Sequence, residues 1–246
     1  MIPSLVPRFS GDLEALGSHL VLTADERPHL ACSALLEQDR LRLLLSRFGE
    51  NYADAEPRAV ASQWSKWYLS RLITPVLAAN MVLDRKLPIG LQETGIILSP
   101  DGRAEAFRLR DEGQAFTPSD FMERFEDLLD GHLSLIIPAI STASGLSQKV
   151  LWSNAGNIIE NVVASCARKL GEEHAGVVHG RQLLASRLWH DRQPNRVFEP
   201  VRYLASGEET LRKRRVCCIR YLIPSLSLCK TCPLDEQPGK RARLPR

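Results

Sequence analysis

"EPRAVASQWSKWYLSRLITPVLAANMVLDRK", residues Glu56 to Lys86, carries apolar side chains at helical spacing along nearly its whole length. It predicts one long helix and with it a helix-rich chain. Pro75 falls inside the pattern and is expected to kink or split the helix, because it removes a backbone donor and crowds the preceding turn. The most apolar part, "ITPVLAANMVL" (Ile73 to Leu83), is far shorter than the roughly 20 residues a membrane-spanning helix needs.

Working outward, "HLACSALLEQDRLRLLLSRFGE" (His29 to Glu50) repeats the helical pattern and stops at Gly49. Residues 1–55 are therefore read as an N-terminal helical segment. On the other side, "TGIILS" and "RAEAFRL" flank Pro100-Asp101-Gly102, where proline presets φ and glycine accepts a positive φ, so a β-hairpin is expected. "TPSDFMERFEDLLDGH" follows as a helix, with Thr117 as N-cap, Pro118 at the first helical position, an apolar face of Phe121, Phe125, Leu128 and Leu129, and an end at Gly131. "LSLIIPAI" (Leu133 to Ile140) is expected to be buried. Ser147 to Gly171 reads as another long helix, closed by basic residues and glycine. "VRYLASGEETLRKRRVCC" predicts a second hairpin turning near Ser206-Gly207. The fold class is α+β, helix-rich, with two short β-hairpins and a C-terminal cysteine loop. One domain spans residues 56–235, and residues 236–246 form a basic tail.

Composition narrows the function. The chain has 246 residues, 44% hydrophobic and 25% charged, with a net charge of +3, which does not by itself call for a polyanionic partner. No secretory apolar stretch opens the sequence, so a cytoplasmic protein is expected, with membrane contact peripheral at most. There is no G-x-S-x-G elbow, P-loop or G-x-G-x-x-G fingerprint, which leaves hydrolase, nucleotide-hydrolysing and Rossmann dehydrogenase readings without support.

The second hairpin leads into "RRVCCIRYLIPSLSLCKTCP" (Arg214 to Pro233), which holds four of the six cysteines: Cys217, Cys218, Cys229 and Cys232. In a reducing compartment such clustering points to metal rather than disulfide chemistry. Zinc and iron–sulfur centres both take four thiolates. Only Cys229 and Cys232 form a C-x-x-C knuckle, and the adjacent pair suits a two-iron cluster better than one zinc ion. Arg212, Lys213, Arg214, Arg215, Arg220 and Lys230 lie around the cysteines in sequence. Positive charge there favours thiolate ligation and the more anionic reduced state. Cys32 and Cys166 sit in apolar patterns and read as small buried hydrophobes. The alternatives are a structural zinc module in a binding protein and an iron–sulfur redox sensor. No helix-turn-helix accompanies the basic residues, so no nucleic acid partner is expected.

The segment resembles the C-terminal C-C-x10-C-x2-C signature of FhuF-type ferric-siderophore reductases. "SQWSKWYLSRLITPVLAANM" (Ser62 to Met81), "LWSNAGNIIENVV" (Leu151 to Val163) and "ETG" (Glu93 to Gly95) resemble other parts of the same family, over roughly residues 60 to 235. The resemblance implies one [2Fe-2S] cluster on Cys217, Cys218, Cys229 and Cys232. It also implies one-electron reduction of iron inside an imported ferric siderophore, with reduced ferredoxin or flavodoxin as the external donor. The expected chelate-docking face includes Trp64, Lys66, Trp67, Trp152, Asn154, Arg214 and Arg215, and the basic strand is the expected docking surface for an acidic donor.

Overall fold

The computed structural model describes residues 18–206 and 209–236. Its centre is the helix read first from sequence, running unbroken from Pro57 to Leu83. Glu56 caps it by accepting from the Ala59 N–H, and Asp84, with φ of +44°, closes it. Pro75 does not split it. The proline leaves one carbonyl without its intrahelical donor, whereas Leu72, Ile73, Pro75, Val76 and Leu77 around it are all buried. Packing on every side outweighs one lost backbone bond.

Helix α1 spans Gln38–Gly49, and α2 is the central Pro57–Leu83 helix. Helices α3 (Phe121–Leu128) and α4 (Ser134–Ser144) are joined by a π-turn over Leu129–Leu133. Helices α5 (Gln148–Leu170) and α6 (Ala175–Ala185) follow. The α5 helix lies against α2 and has the boundaries expected from Ser147 and Gly171, with the Ser147 hydroxyl accepting from the Lys149 N–H. The start of α3 differs from expectation. Its cap is Asp120, whose side chain accepts from the Glu123 N–H, rather than Thr117. Gly131 does not end the helix, because the π-turn carries the chain on into α4.

Both expected hairpins are present. Strands β4 (Gly95–Leu98) and β5 (Ala104–Leu109) turn at Gly102, whose φ is +82°. Strands β7 (Val201–Ser206) and β8 (Glu209–Arg214) pair from Val201–Arg214 to Ser206–Glu209. The first hairpin belongs to a larger sheet, ordered β1-β5-β4-β2, in which β1 (Leu20–Leu22) runs parallel to β5 and β2 (Leu30–Ala31) antiparallel to β4. The N-terminal segment is thus not all helical. Leu30 and Ala31 are drawn to the free edge of β4, a 3-10 turn covers Cys32–Leu36, and the helix begins only at Gln38. A small ribbon pairs β3 (Arg85–Lys86) with β6 (Gln114–Ala115). Of the expected basic tail at 236–246, residues 237–246 lie outside the described residues, as do residues 1–17 and the two at the tip of the second hairpin.

The second hairpin is pressed against α5 where that helix has no side chain. A Cβ on Gly156 would lie 2.7 Å from the Pro200 Cβ, too close for any other residue without movement. Beyond β8 the cysteine segment leaves through a narrow neck. The Arg214 N–H donates to the Thr231 carbonyl at 2.9 Å, and the Arg215 N–H to the Pro200 carbonyl at 3.1 Å.

Candidate metal centre

Two helices supply the floor. On α2, Ser62, Ser65 and Lys66 share one face through i, i+3 and i+4 spacing. The Ser62 hydroxyl donates to the Cys218 carbonyl at 2.7 Å, and the Ser65 hydroxyl to the Ser62 carbonyl at 2.8 Å. Lys66 reaches past them, placing its Nζ 2.9 Å from the Cys218 Sγ. From α5, the Asn154 amide donates to the Ser65 hydroxyl at 3.0 Å, while its Oδ1 accepts from Arg214 Nη2 at 2.6 Å. The same guanidinium nitrogen donates to the Ser153 hydroxyl at 3.1 Å, and that hydroxyl lies 3.4 Å from the Val216 carbonyl. Asn154 therefore ties α2, α5 and β8 together.

The sulfurs sit above this floor. All six cysteines are unbonded. Cys218 and Cys232 are buried, and Cys217 and Cys229 are half-buried. Ile219 adopts a φ of +51°, a costly conformation for a β-branched residue. Its N–H donates to the Cys217 Sγ at 3.3 Å. The Cys232 N–H donates to the Cys229 carbonyl at 3.0 Å, the backbone curl of the C-x-x-C knuckle.

The Cys218 and Cys229 sulfurs are 3.8 Å apart. That is far beyond the ~2.05 Å of a disulfide. Two thiolates ~2.3 Å from one tetrahedral ion lie about 3.8 Å from each other, so this pair has the spacing of two ligands on one metal. A single ion would draw all four sulfurs to that mutual distance. Among the described residues no group of three or more Cys, His, Asp or Glu side chains is placed to hold a metal ion.

Charge follows the same plan. The hydrogen bond with Cys229 holds the Cys218 thiol well below its ordinary range, helped by the Lys66 ammonium and the Arg214 guanidinium. The same shared proton pushes Cys229 up. Burial lifts Cys217 to about 11, with the charges of Cys218 and Cys232 adding to the effect. Arg214 is 2% exposed, and among the described residues neither it nor Lys66 has a carboxylate partner. The Arg214 Nε has no hydrogen-bond partner there either. Buried cations are ordinarily paired. Among the described residues the negative charge that acts on both comes from the cysteine sulfurs.

The residues expected to form one chelate-docking face do not share a face. Trp64 is fully buried, with its indole N–H donating to the Gly102 carbonyl at 2.9 Å. Trp67 lies between the guanidinium groups of Arg71 and Arg103, each 5.2 Å from its ring. Both indoles belong to the hairpin side of α2, one helical step away from Lys66. Trp152, Asn154 and Arg214 are buried, while Arg215 is exposed. The basic strand is not a free cationic face. Arg212 is bound by Glu160 and Asn157, Lys213 is buried, and Arg215 pairs with Glu199 at 2.6 Å. Serines 62, 65 and 153 were invisible as site residues. Their signal was positional, since Ser62 and Ser65 lie on the Lys66 face and Ser153 adjoins Asn154.

A family described as ferric iron reductase FhuF-like transporter matches residues 62–211, more than half of the sequence. The chain belongs to the FhuF-like family. That match takes in α2, Trp152 and Asn154 and ends just before the cysteines. The chain is 24% identical over 180 residues to the ferric siderophore reductase of Escherichia coli K12, covering 73% of this sequence and 67% of that protein. In fold it is similar to the ATP-bound aerobactin synthetase IucA of Klebsiella pneumoniae, with a TM-score of 0.56 and 12% identity. That similarity covers 69% of this chain but only 37% of the synthetase. At that identity the likeness is one of fold alone. No helix among the described residues is long and apolar enough to cross a membrane.

Proposed function

We propose that this FhuF-like protein is a cytoplasmic ferric-siderophore reductase whose Cys217, Cys218, Cys229 and Cys232 hold a [2Fe-2S] cluster. The carrying observation is the sulfur pair 3.8 Å apart, faced by the half-buried Lys66 and the buried Arg214, neither of which has a carboxylate partner among the described residues. The family match and the named relative give the chemistry its direction. When bound, the cluster supplies a one-electron couple near the surface, with a net charge of about −2 or −3.

The chain's own residues account for the rest. Cys217, Cys218, Cys229 and Cys232 would supply the four thiolates, and Cys218 and Cys229 already stand at the spacing of two ligands. Lys66 donates a charge-assisted hydrogen bond to the Cys218 sulfur and, with Arg214, offsets the added negative charge of the reduced state. Ser62 and Asn154 hold the Cys218 backbone and the Arg214 guanidinium in place. No general acid or base is required. Hydroxamate and catecholate oxygens are hard ligands suited to ferric iron, and the metal is held more weakly once it is ferrous. One electron releases it with no bond in the siderophore cut. The electron comes from an external carrier such as a reduced ferredoxin or flavodoxin. Since the basic residues of β8 are engaged internally, the carrier docks elsewhere than on that strand.

Anaerobic purification tests this reading. The expected result is about two irons and two sulfides per chain, visible absorption that bleaches with dithionite, and ferrous iron trapped by a chromogenic chelator after ferric siderophore is added. Zinc in place of iron, with no visible absorption, would replace this reading with the structural zinc module.

A further inference from the structure

Beside the cysteine loop lies a cavity of about 350 Å³ that none of the cysteines lines. Its inner wall is Trp152 on α5. Its outer wall is the loop from Trp189 to Val197, and Asp130 and Ser134 close the far end. The loop is firmly built. The Trp189 N–H donates to the Gln193 carbonyl at 2.7 Å and the Gln193 N–H to the His190 carbonyl at 2.9 Å. The buried Asn195 amide donates to the Leu183 and Ser186 carbonyls at 2.7 and 2.9 Å. Trp189 is fixed by its own indole N–H, which donates to the Asp130 carboxylate at 2.8 Å.

Two features make this more than a surface dent. Trp152 is 8% exposed, yet its indole N–H finds no partner among the described residues. A buried donor left unpaired is costly and marks a place where an acceptor belongs. Above the same ring stands the exposed Arg196 guanidinium, 5.9 Å from the ring centroid. The guanidinium already makes a cation–π contact with the indole, so an incoming oxygen-bearing group would lie alongside the pair, within reach of the free N–H and the guanidinium donors.

Its position suggests which group that is. Ser153, the neighbour of Trp152, touches the Val216 carbonyl, one residue before Cys217. The loop runs on to Glu199 and Pro200, which are joined to Arg215 by an ion pair and a backbone hydrogen bond. The cavity and the cysteine loop therefore share one turn of α5. At about 350 Å³ the cavity is at the small end of ligand pockets, large enough for one limb of a bulky chelate and not for the whole of it.

We propose that this cavity receives one oxygen-bearing arm of the ferric chelate, so that the iron is held over the cysteine loop while the arm lies against Trp152, Trp189 and Arg196. The proposal rests on the reductase reading for the identity of its ligand. Gallium(III) complexes of one tris-hydroxamate and one tris-catecholate siderophore are suitable probes, because gallium takes the same oxygen ligands and is not reduced. Titration of the holoprotein with each, followed by tryptophan fluorescence and calorimetry, should show binding of at least one. Arg196→Ala and Trp152→Phe should each weaken that binding about tenfold, with the visible spectrum and melting temperature of the holoprotein unchanged. Arg196→Ala alters an exposed residue, so it keeps the test valid should Trp152→Phe fold poorly. Binding within twofold of the parent in Arg196→Ala, or no binding of either gallium chelate to the parent, overturns the proposal. Normal gallium-chelate binding without dithionite-driven iron release would instead sink the reductase reading and leave the cavity's role standing.

Discussion

The two sides of the central helix bury polar groups in opposite ways. On the hairpin side the Tyr68 hydroxyl lies 2.6 Å from His132 Nε2, and His132 Nδ1 lies 2.6 Å from the Ile89 carbonyl. Each group has a partner, and burial holds the imidazole down to about 4, so it is neutral at pH 7. Burial likewise keeps the Tyr68 phenol protonated. On the cysteine side, Lys66 and Arg214 face sulfur with no carboxylate between them. The first network is complete within the chain. The second is complete only with an anion that the polypeptide supplies in part, through its thiolates. The contrast is the ground for proposing the cysteine side as the working face of the helix.

The contrast breaks most sharply at the sulfurs. Cys218→Ser removes a member of the closely spaced pair. It should abolish iron and sulfide incorporation and reduce iron release at least a hundredfold, while circular dichroism still shows a folded helical body. Retention of a full complement of iron would dissociate Cys218 from the centre.

Lys66→Met tests the cationic side alone. The cluster should still assemble, but its midpoint potential should fall by on the order of 60 mV, equivalent to a tenfold change for a one-electron couple. Potentiometric titration reads this directly. The neutral side responds to pH. Unfolded histidine titrates near 6.5 and folded His132 near 4, so the unfolded chain binds more protons between those values and stability is lost as pH falls through that window. The lost stability is about 3 kcal/mol for this residue. His132→Gln should flatten the fall in melting temperature from pH 6.5 to 4. Some slope should remain, since burial and the Arg71 charge also hold His19 at about 4. The smallest effect belongs to the exposed pair of Arg215 and Glu199. Arg215→Ala should change stability by less than about 1 kcal/mol, measured by denaturant titration.

Much of this was legible where local chemistry decides structure. Pro100-Asp101-Gly102 set the first hairpin, Ser147 and Gly171 bounded α5, and the cysteine spacing marked the segment proposed to hold the cluster. What escaped was decided at long range. Strands of two or three residues such as Leu30–Ala31 carry no periodicity and exist because β4 offers an edge. Pro75 and Gly131 are breakers by local rule, overruled by burial and by a π-turn. The site shows the same division. Trp64 and Lys66 are two positions apart and looked like members of one face, but helical geometry sends one into the core and the other to sulfur. The cavity wall at residues 189–197 had no sequence signature, because its shape depends on the left-handed Asp191 and Arg192 and on Asn195 bonding to backbone groups.

The neck formed by Arg214 and Thr231 has a bearing on biogenesis. Among the described residues every α-helix and β-strand lies on the body side of that closure, and the loop itself holds only the 3-10 turn Arg220–Leu222, so were the proposed cluster to bind there, the scaffold could reach its native state with the cysteine lasso still empty. Maturation would then be a local event on a finished protein, and the apo form should persist as a folded acceptor for a delivery system rather than as a target for degradation.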